Sequence, residues 1–265
     1  MAVTSNRYAI FGATGKSGSS LIEVLLASSP ENVIHAYCRN AAKLTNLFPE
    51  AVRSKRITIF EGDIFDTELF AQCASGCKIV FMCVTMNDNI PNMHIAEDAA
   101  RTLITALKRT HLEGQQKTAP PKIVVLSSAS LEPSLCGNLS SAFHWVVVHA
   151  NSYTYEDLRK AEGLLRAEGD WLSSIFIKPG GLSVDKPRGF KLDLYQQDTF
   201  ISYMDLAGAM IEAGSDTEGR YDLRNVTINN TGGSAKMPST LPLLCFTGLL
   251  RWAFPWMHPY LPLYG

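Results

Sequence analysis

The stretch Tyr8-Ala9-Ile10-Phe11-Gly12-Ala13-Thr14-Gly15-Lys16-Ser17-Gly18 decides the fold. Four apolar residues read as a short buried strand, and an amphipathic run over 17–27 reads as a helix. The three glycines stand between them. Glycine is required there for a tight turn, for close approach of backbone to a pyrophosphate, and for packing of helix on strand, while free N–H groups at the helix start bind the anion. Gly12, Thr14, Gly15, Lys16, Ser17 and Gly18 are therefore the candidate phosphate cradle. Gly15-Lys16-Ser17 also imitates the end of a nucleoside-triphosphate loop, G-x-x-x-x-G-K-[ST]. That motif needs glycine at position 10, where the chain has Ile10 inside the strand, so the triphosphate reading falls away.

Outward from this stretch the same alternation continues. Apolar runs over 33–38, 57–60, 79–84, 123–126 and 172–177 read as strands, and segments over 66–73, 95–109 and 139–167 read as helices. Nearly continuous apolar strands alternating with helices predict a parallel sheet covered on both faces, the doubly wound α/β arrangement. Residues 113–121 (EGQQKTAPP) read as a surface loop. After Pro179 the alternation fades, leaving a helix near 203–213, a strand near 226–229 and an aromatic tail. The expected division is a nucleotide-binding core over 1–180 and a small C-terminal substrate-side region over 181–265.

The end of the second strand selects the cofactor. A site for NAD usually carries Asp or Glu there to hold the ribose 2′-hydroxyl. The chain has Ala36-Tyr37-Cys38-Arg39-Asn40, with no acid, and Arg39 suits the 2′-phosphate of NADP. One charge-assisted hydrogen bond contributes about 1.5–3 kcal/mol, or about 10- to 100-fold in preference. A solvated surface role is the alternative for Arg39, and Lys43 either reinforces it or is solvated. Asp63 and Ile64, after the third strand, are candidates for adenine contact, with an ordinary turn or helix cap as the alternative for Asp63. Val84 and Thr85 close the fourth strand at the carboxyl edge of the sheet, where ligands of open α/β folds collect.

Composition narrows the class. The 265 residues carry 24 Lys+Arg against 25 Asp+Glu, a formal charge of −1, which argues against a dedicated nucleic-acid binder. With 46% apolar and 18% charged residues, the chain can bury a large core. No charged-then-apolar leader opens it, so a cytoplasmic location is expected. Cys38, Cys73, Cys77, Cys83, Cys136 and Cys245 lack metal-site spacing and read as reduced thiols. His144 and His149 are five apart, which does not suit a pair of helix-borne ligands, and no metal is expected. Asn138, Asn225 and Asn229 match the glycosylation pattern only by chance on this reading.

The tail TLPLLCFTGLLRWAFPWMHPYLPLYG (240–265) is unusually apolar and aromatic. Prolines and Arg251 interrupt it well short of the ~20 residues of a membrane span. It reads as a packed arm, as a lid or dimer contact, or as a shallow membrane-associating segment.

These stretches resemble the short-chain dehydrogenase/reductase superfamily, and more closely its atypical NmrA-like branch. The resemblance rests on GATGKSG, the YCRN arginine, GDIFD, VVLSSAS, LRKAEGLLRAEGDWLSSIFIKPGGL and ISYMDLAGAMIEA, together spanning about 7–213. It implies a Rossmann-type sheet and an NADP(H) cofactor. It also implies a reductive site pairing a Ser or Thr after the fifth strand with Y-x-x-x-K on the next helix.

Lys160 aligns with the family lysine and would hold the nicotinamide ribose, yet the residue four before it is Glu156, so the tyrosine is missing. Tyr153 falls near the face of Lys160 at helical spacing, whereas Tyr155 points off it and makes Y-x-x-x-R with Arg159 if the register slips. Lys160, Tyr153, Glu156 and His149 form either a polar stripe facing the cofactor or a solvated face. Ser127, Ser128 and Ser130 are candidates for the substrate hydroxyl contact, Ser128 first. Pro179 and Gly180 end the sixth strand, where the resemblance places the nicotinamide.

Three functions stay open at this point. The first is an NADP(H)-dependent oxidoreductase for an apolar, cyclic or polyketide-like carbonyl or enone. The second is an isomerase, cyclase or dehydratase working by proton transfer, and the third a non-catalytic NADP-responsive regulator. Monomer and homodimer are equally open.

Overall fold

The computed structural model describes residues 6–112, 119–137, 140–197 and 200–264. Its elements are β1 (Asn6–Phe11), α1 (Lys16–Ser28), β2 (Asn32–Cys38), α2 (Ala41–Leu47), α3 (Pro49–Arg53), β3 (Ile57–Glu61), α4 (Thr67–Ala74) and β4 (Ile79–Met82). Then come α5 (Ile95–Leu107), β5 (Lys122–Leu126), α6 (Ser141–Ala150), α7 (Ser152–Ala167), β6 (Ser174–Lys178), β7 (Leu182–Ser183) and β8 (Phe190–Asp193). The chain closes with β9 (Ile201–Ser202), α8 (Tyr203–Ser215), β10 (Asn225–Asn230) and α9 (Leu241–Ala253).

One sheet organises the molecule, in the order β3-β2-β1-β4-β5-β6-β10-β8. All its pairs are parallel except β10 with β8. Successive residues of β1 serve opposite faces. Tyr8 and Ile10 join the core under α1 and α8, whereas Ala9 and Phe11 join the core under α4, α5 and α7. Both faces are thus covered, which is why the strands are almost wholly apolar. The strand order turns back between β1 and β4, so the loops after these strands open the crevice where doubly wound sheets bind ligands.

Four expectations shift. The helix foreseen over 139–167 is two helices, because Asn151 leaves helical geometry (φ −125°, ψ 20°) and turns its amide to the Val147 carbonyl at 2.8 Å. The fourth strand ends at Met82 rather than at 84. The sheet runs past residue 180, since β10 and β8 extend it from the C-terminal region. The tail contains a 13-residue helix, because its prolines bracket α9 instead of breaking it: Pro242 sits in the first turn, where a missing N–H forfeits nothing, and Pro255 follows the last turn. Most of the surface loop foreseen over 113–121 lies outside the described residues, as do Asn138 and Leu139.

Candidate active site at the carboxyl edge of the sheet

Gly12 has φ +86°, and a Cβ on it would stand 2.5 Å from the Cys83 carbonyl oxygen at the end of the neighbouring β4. On Gly18 a Cβ would stand 2.3 Å from the Gly12 carbonyl oxygen, so the first turn of α1 lies directly on the loop. Both glycines are steric necessities. The N-cap of α1 is Gly15, no side chain caps the helix, and its first turn holds no acid. The leading N–H groups of α1 are left to an external acceptor, in a place where the helix dipole favours an anion. Lys16 is exposed beside them, its ammonium 6.0 Å from the centre of the Tyr203 ring, and Thr14 and Ser17 are half-buried at the same loop. Across the crevice, after β4, Val84 is half-buried and the Thr85 hydroxyl is buried with no hydrogen-bond partner among the described residues. An uncapped helix start, a loop whose Gly12 and Gly18 admit no Cβ and an orphaned buried hydroxyl together fit a dinucleotide.

Arg39 is exposed immediately past β2 and forms no ion pair among the described residues. Asn40 next to it caps α2, accepting the Lys43 N–H at 2.8 Å, and the Lys43 side chain is exposed. Glu61, paired in register with Cys38, accepts the Ala41 N–H at 2.8 Å. A carboxylate therefore does stand near this corner, supplied by β3 rather than β2 and already bonded to backbone. Asp63 accepts the Phe65 N–H at 2.7 Å in a local turn, and its carbonyl accepts the Tyr37 phenol at 2.6 Å. Ile64 is half-buried against the α4 side of the core.

The helix break at Asn151 sets the register of α7. The half-buried Tyr155 places its hydroxyl 3.3 Å from the Ser128 hydroxyl, just past the carboxyl end of β5. Burial pushes the Tyr155 phenol above its ordinary range, and hydrogen bonds from the Ser128 and Ser130 hydroxyls partly oppose that. Arg159, one turn further along the same face, is exposed and forms no ion pair among the described residues.

Lys160 is turned elsewhere. Its ammonium lies 3.0 Å from Glu156 and 4.0 Å from Glu97 of α5, on a face of α7 different from that of Tyr155. The stripe of Lys160, Tyr153, Glu156 and His149 does not form, because His149 belongs to α6, where it stacks on Trp145 and meets Trp252 edge to face. Tyr153 is anchored by its backbone, donating to the Asn89 side chain at 2.8 Å. The Pro179 carbonyl accepts the Ala129 N–H at 2.9 Å, fixing the serine segment against the end of β6, and Gly180 follows half-buried.

Behind Ser128 lies a charged cluster not foreseen from sequence. Lys178, the last residue of β6, is fully buried, with its ammonium 2.7 Å from Glu162 and 3.4 Å from Glu132. Glu162 also accepts the Ser127 hydroxyl and lies 3.6 Å from Arg166. The sequence signal was present in Ser-Ile-Phe-Ile-Lys: a lysine closing an otherwise apolar internal strand demands a carboxylate opposite. Asn89 was missed as well. Its amide bonds the Gly248 carbonyl of α9 at 3.2 Å, the Ser152 hydroxyl at 3.3 Å and the His149 carbonyl at 3.4 Å. Among the described residues no three His, Cys, Asp or Glu side chains converge on a metal position. Burial pushes the Cys77 and Cys83 thiols up to about 12, so neither acts as a thiolate nucleophile at neutral pH.

A glycine cradle at the turning point of a doubly wound sheet defines a nucleotide-binding α/β protein. Residues 12–217 match the NAD(P)H-binding family, and the chain belongs to it. It is 47% identical over 258 residues to an oxidoreductase of Pestalotiopsis microspora, covering 97% of this chain and 98% of that one. An oxidoreductase of Pestalotiopsis fici is 48% identical over 257 residues, covering 97% of each. The fold is that of the short-chain dehydrogenase/reductases: one from Veillonella parvula, solved with NADP, matches with a TM-score of 0.67 at 19% identity, covering 88% of this chain and 99% of that one.

Proposed function

We propose that the protein is an NADP(H)-dependent oxidoreductase acting on a carbonyl or enone of an apolar, cyclic or polyketide-like small molecule. The observation that carries the reading is the Tyr155–Ser128 hydroxyl pair, 3.3 Å apart at the carboxyl edge of the sheet, next to a loop shaped for a dinucleotide. Membership in the NAD(P)H-binding family and relatives named oxidoreductases support the redox class.

In this reading the α1 N–H groups with Thr14, Lys16 and Ser17 hold the pyrophosphate, and Arg39, flanked by Lys43, holds the 2′-phosphate. Thr85, Val84, Pro179 and Gly180 line the nicotinamide end. Asp63 and Ile64 border the adenine end. A bound nicotinamide supplies or accepts hydride. The Tyr155 phenol, kept protonated by burial, donates a proton to the substrate oxygen, and Ser128 orients that oxygen. Arg159 takes the place that a lysine holds in Y-x-x-x-K, while Lys160, Tyr153 and Glu156 shape the outer face of α7.

A phenol held neutral also suits proton transfer without redox change, and stoichiometric NADPH consumption separates the two readings. The cofactor test is a fluorescence titration of the stripped protein with NADPH and NADH, repeated on Arg39→Ala. Binding of NADPH about tenfold or more tighter than NADH, lost in the variant, is expected. Equal affinities in the native protein would overturn the NADP assignment.

A further inference from the structure

Helix α9 is built inside out. Its buried residues are Thr247, Gly248 and Arg251, while Leu243, Phe246 and Trp252 face outward. The same holds for α6, where Phe143 and Trp145 are exposed and only Ala150 is buried. A helix on an aqueous surface turns its apolar side inward. Here that side is displayed, and the polar side fastens the arm to the body. The buried Arg251 guanidinium donates to the Pro262 carbonyl at 2.6 Å and to the His258 ring at 3.2 Å, and lies 3.9 Å from Asp88. Asp88 also accepts the Tyr264 N–H at 3.0 Å. The arm is therefore fastened to the body through Asp88.

We propose that this α6–α9 face docks on the surface of a lipid bilayer. Directly past α9, in the turn over 255–260, Trp256 is 70% and Tyr260 81% exposed. Projecting Trp and Tyr suit the headgroup boundary, which imposes no shape of its own, whereas a second copy of the chain would need a matching hollow. The charge pattern agrees: no acidic residue follows Asp222, and none lies between Glu132 and Glu156, so the segments that build the face meet an anionic surface without repulsion. The contact is in-plane. The 13 residues of α9 span about 20 Å, and no helix among the described residues is long and apolar enough to cross a membrane. The face adjoins the site, since the Asn89 amide ties the Gly248 carbonyl of α9 to the Ser152 hydroxyl in the first turn of α7, the helix that carries Tyr155. An apolar substrate dissolved in the bilayer would then reach the crevice without crossing water.

The docking itself does not rest on the redox reading, and its test needs no cofactor and no turnover. The full chain is sedimented with phosphatidylcholine vesicles containing a minor share of phosphatidylserine, and tryptophan emission is recorded. Co-sedimentation with a blue shift is expected, and Phe246→Ser/Trp256→Ser/Tyr260→Ser should weaken partition at least about tenfold while leaving circular dichroism unchanged. Trp256→Ser alone, expected to weaken partition several-fold, serves if the triple variant does not fold. Native protein that stays in the supernatant overturns the proposal. So does a concentration-dependent dimer that the same variant dissociates, which would make a second copy the occupant.

Discussion

Replacing Lys178 by Met removes the one cation that is wholly buried against Glu162, at 2.7 Å. Breaking such a pair from one side typically costs about 3–5 kcal/mol, because a charge is left buried without its partner. Glu162 keeps Arg166 at 3.6 Å and the Ser127 hydroxyl, which places the expected loss at the lower end, about 3 kcal/mol. At roughly 2–4 °C per kcal/mol for a chain of this size, Tm should fall by about 6–12 °C. Urea unfolding with linear extrapolation gives the free energy directly. The decisive comparison is the double variant Lys178→Met/Glu162→Leu, which removes both charges. It should recover at least about 2 kcal/mol relative to the sum of the single losses. A single variant within about 1 kcal/mol of the native protein, or a double variant destabilised by the full sum, would refute the account. A drop in turnover larger than the unfolded fraction explains is also expected, since Ser127 is bonded to Glu162 and precedes Ser128 directly.

Three further outcomes follow from the site. Tyr155→Phe should lower kcat about 10²- to 10⁴-fold with NADPH affinity unchanged. Because burial raises the phenol's pKa, the native protein should keep its proton donor through neutral pH and lose it only above the ordinary tyrosine value near 10; a basic limb below pH 9 would contradict this. Gly12→Ala, with φ +86° and the Cys83 carbonyl 2.5 Å from its Cβ, should abolish dinucleotide binding and lower Tm, measured by titration and by thermal melting.

The sheet was legible because β1, β2, β4, β5 and β6 are largely buried on both faces, which writes apolar runs into the sequence, and because glycines 12 and 18 mark a turn where a Cβ would run into backbone. Helix α9 was harder to read: its polarity is reversed, so a rule that places apolar residues inward finds only a broken tail. The register around Tyr155 was hidden for a different reason. A single residue, Asn151, ends one helix and starts the next, and spacing counted through it puts His149 and Lys160 on a common face that the chain never makes. Lys178 was visible as a letter but not as a role, since its carboxylate lies 16 positions away on α7. Arg39 was legible as a position: it stands exposed directly past the end of β2, where the sequence places it.

Asn89 carries a consequence for the timing of synthesis. Its amide joins the end of α6, the first turn of α7 and the Gly248 carbonyl of α9. A ribosome delivers residue 248 long after Tyr155. The nascent sheet can therefore assemble while the helix that carries the phenol still lacks one of its fastenings, and that fastening closes only once residue 248 has been made and α9 folds back.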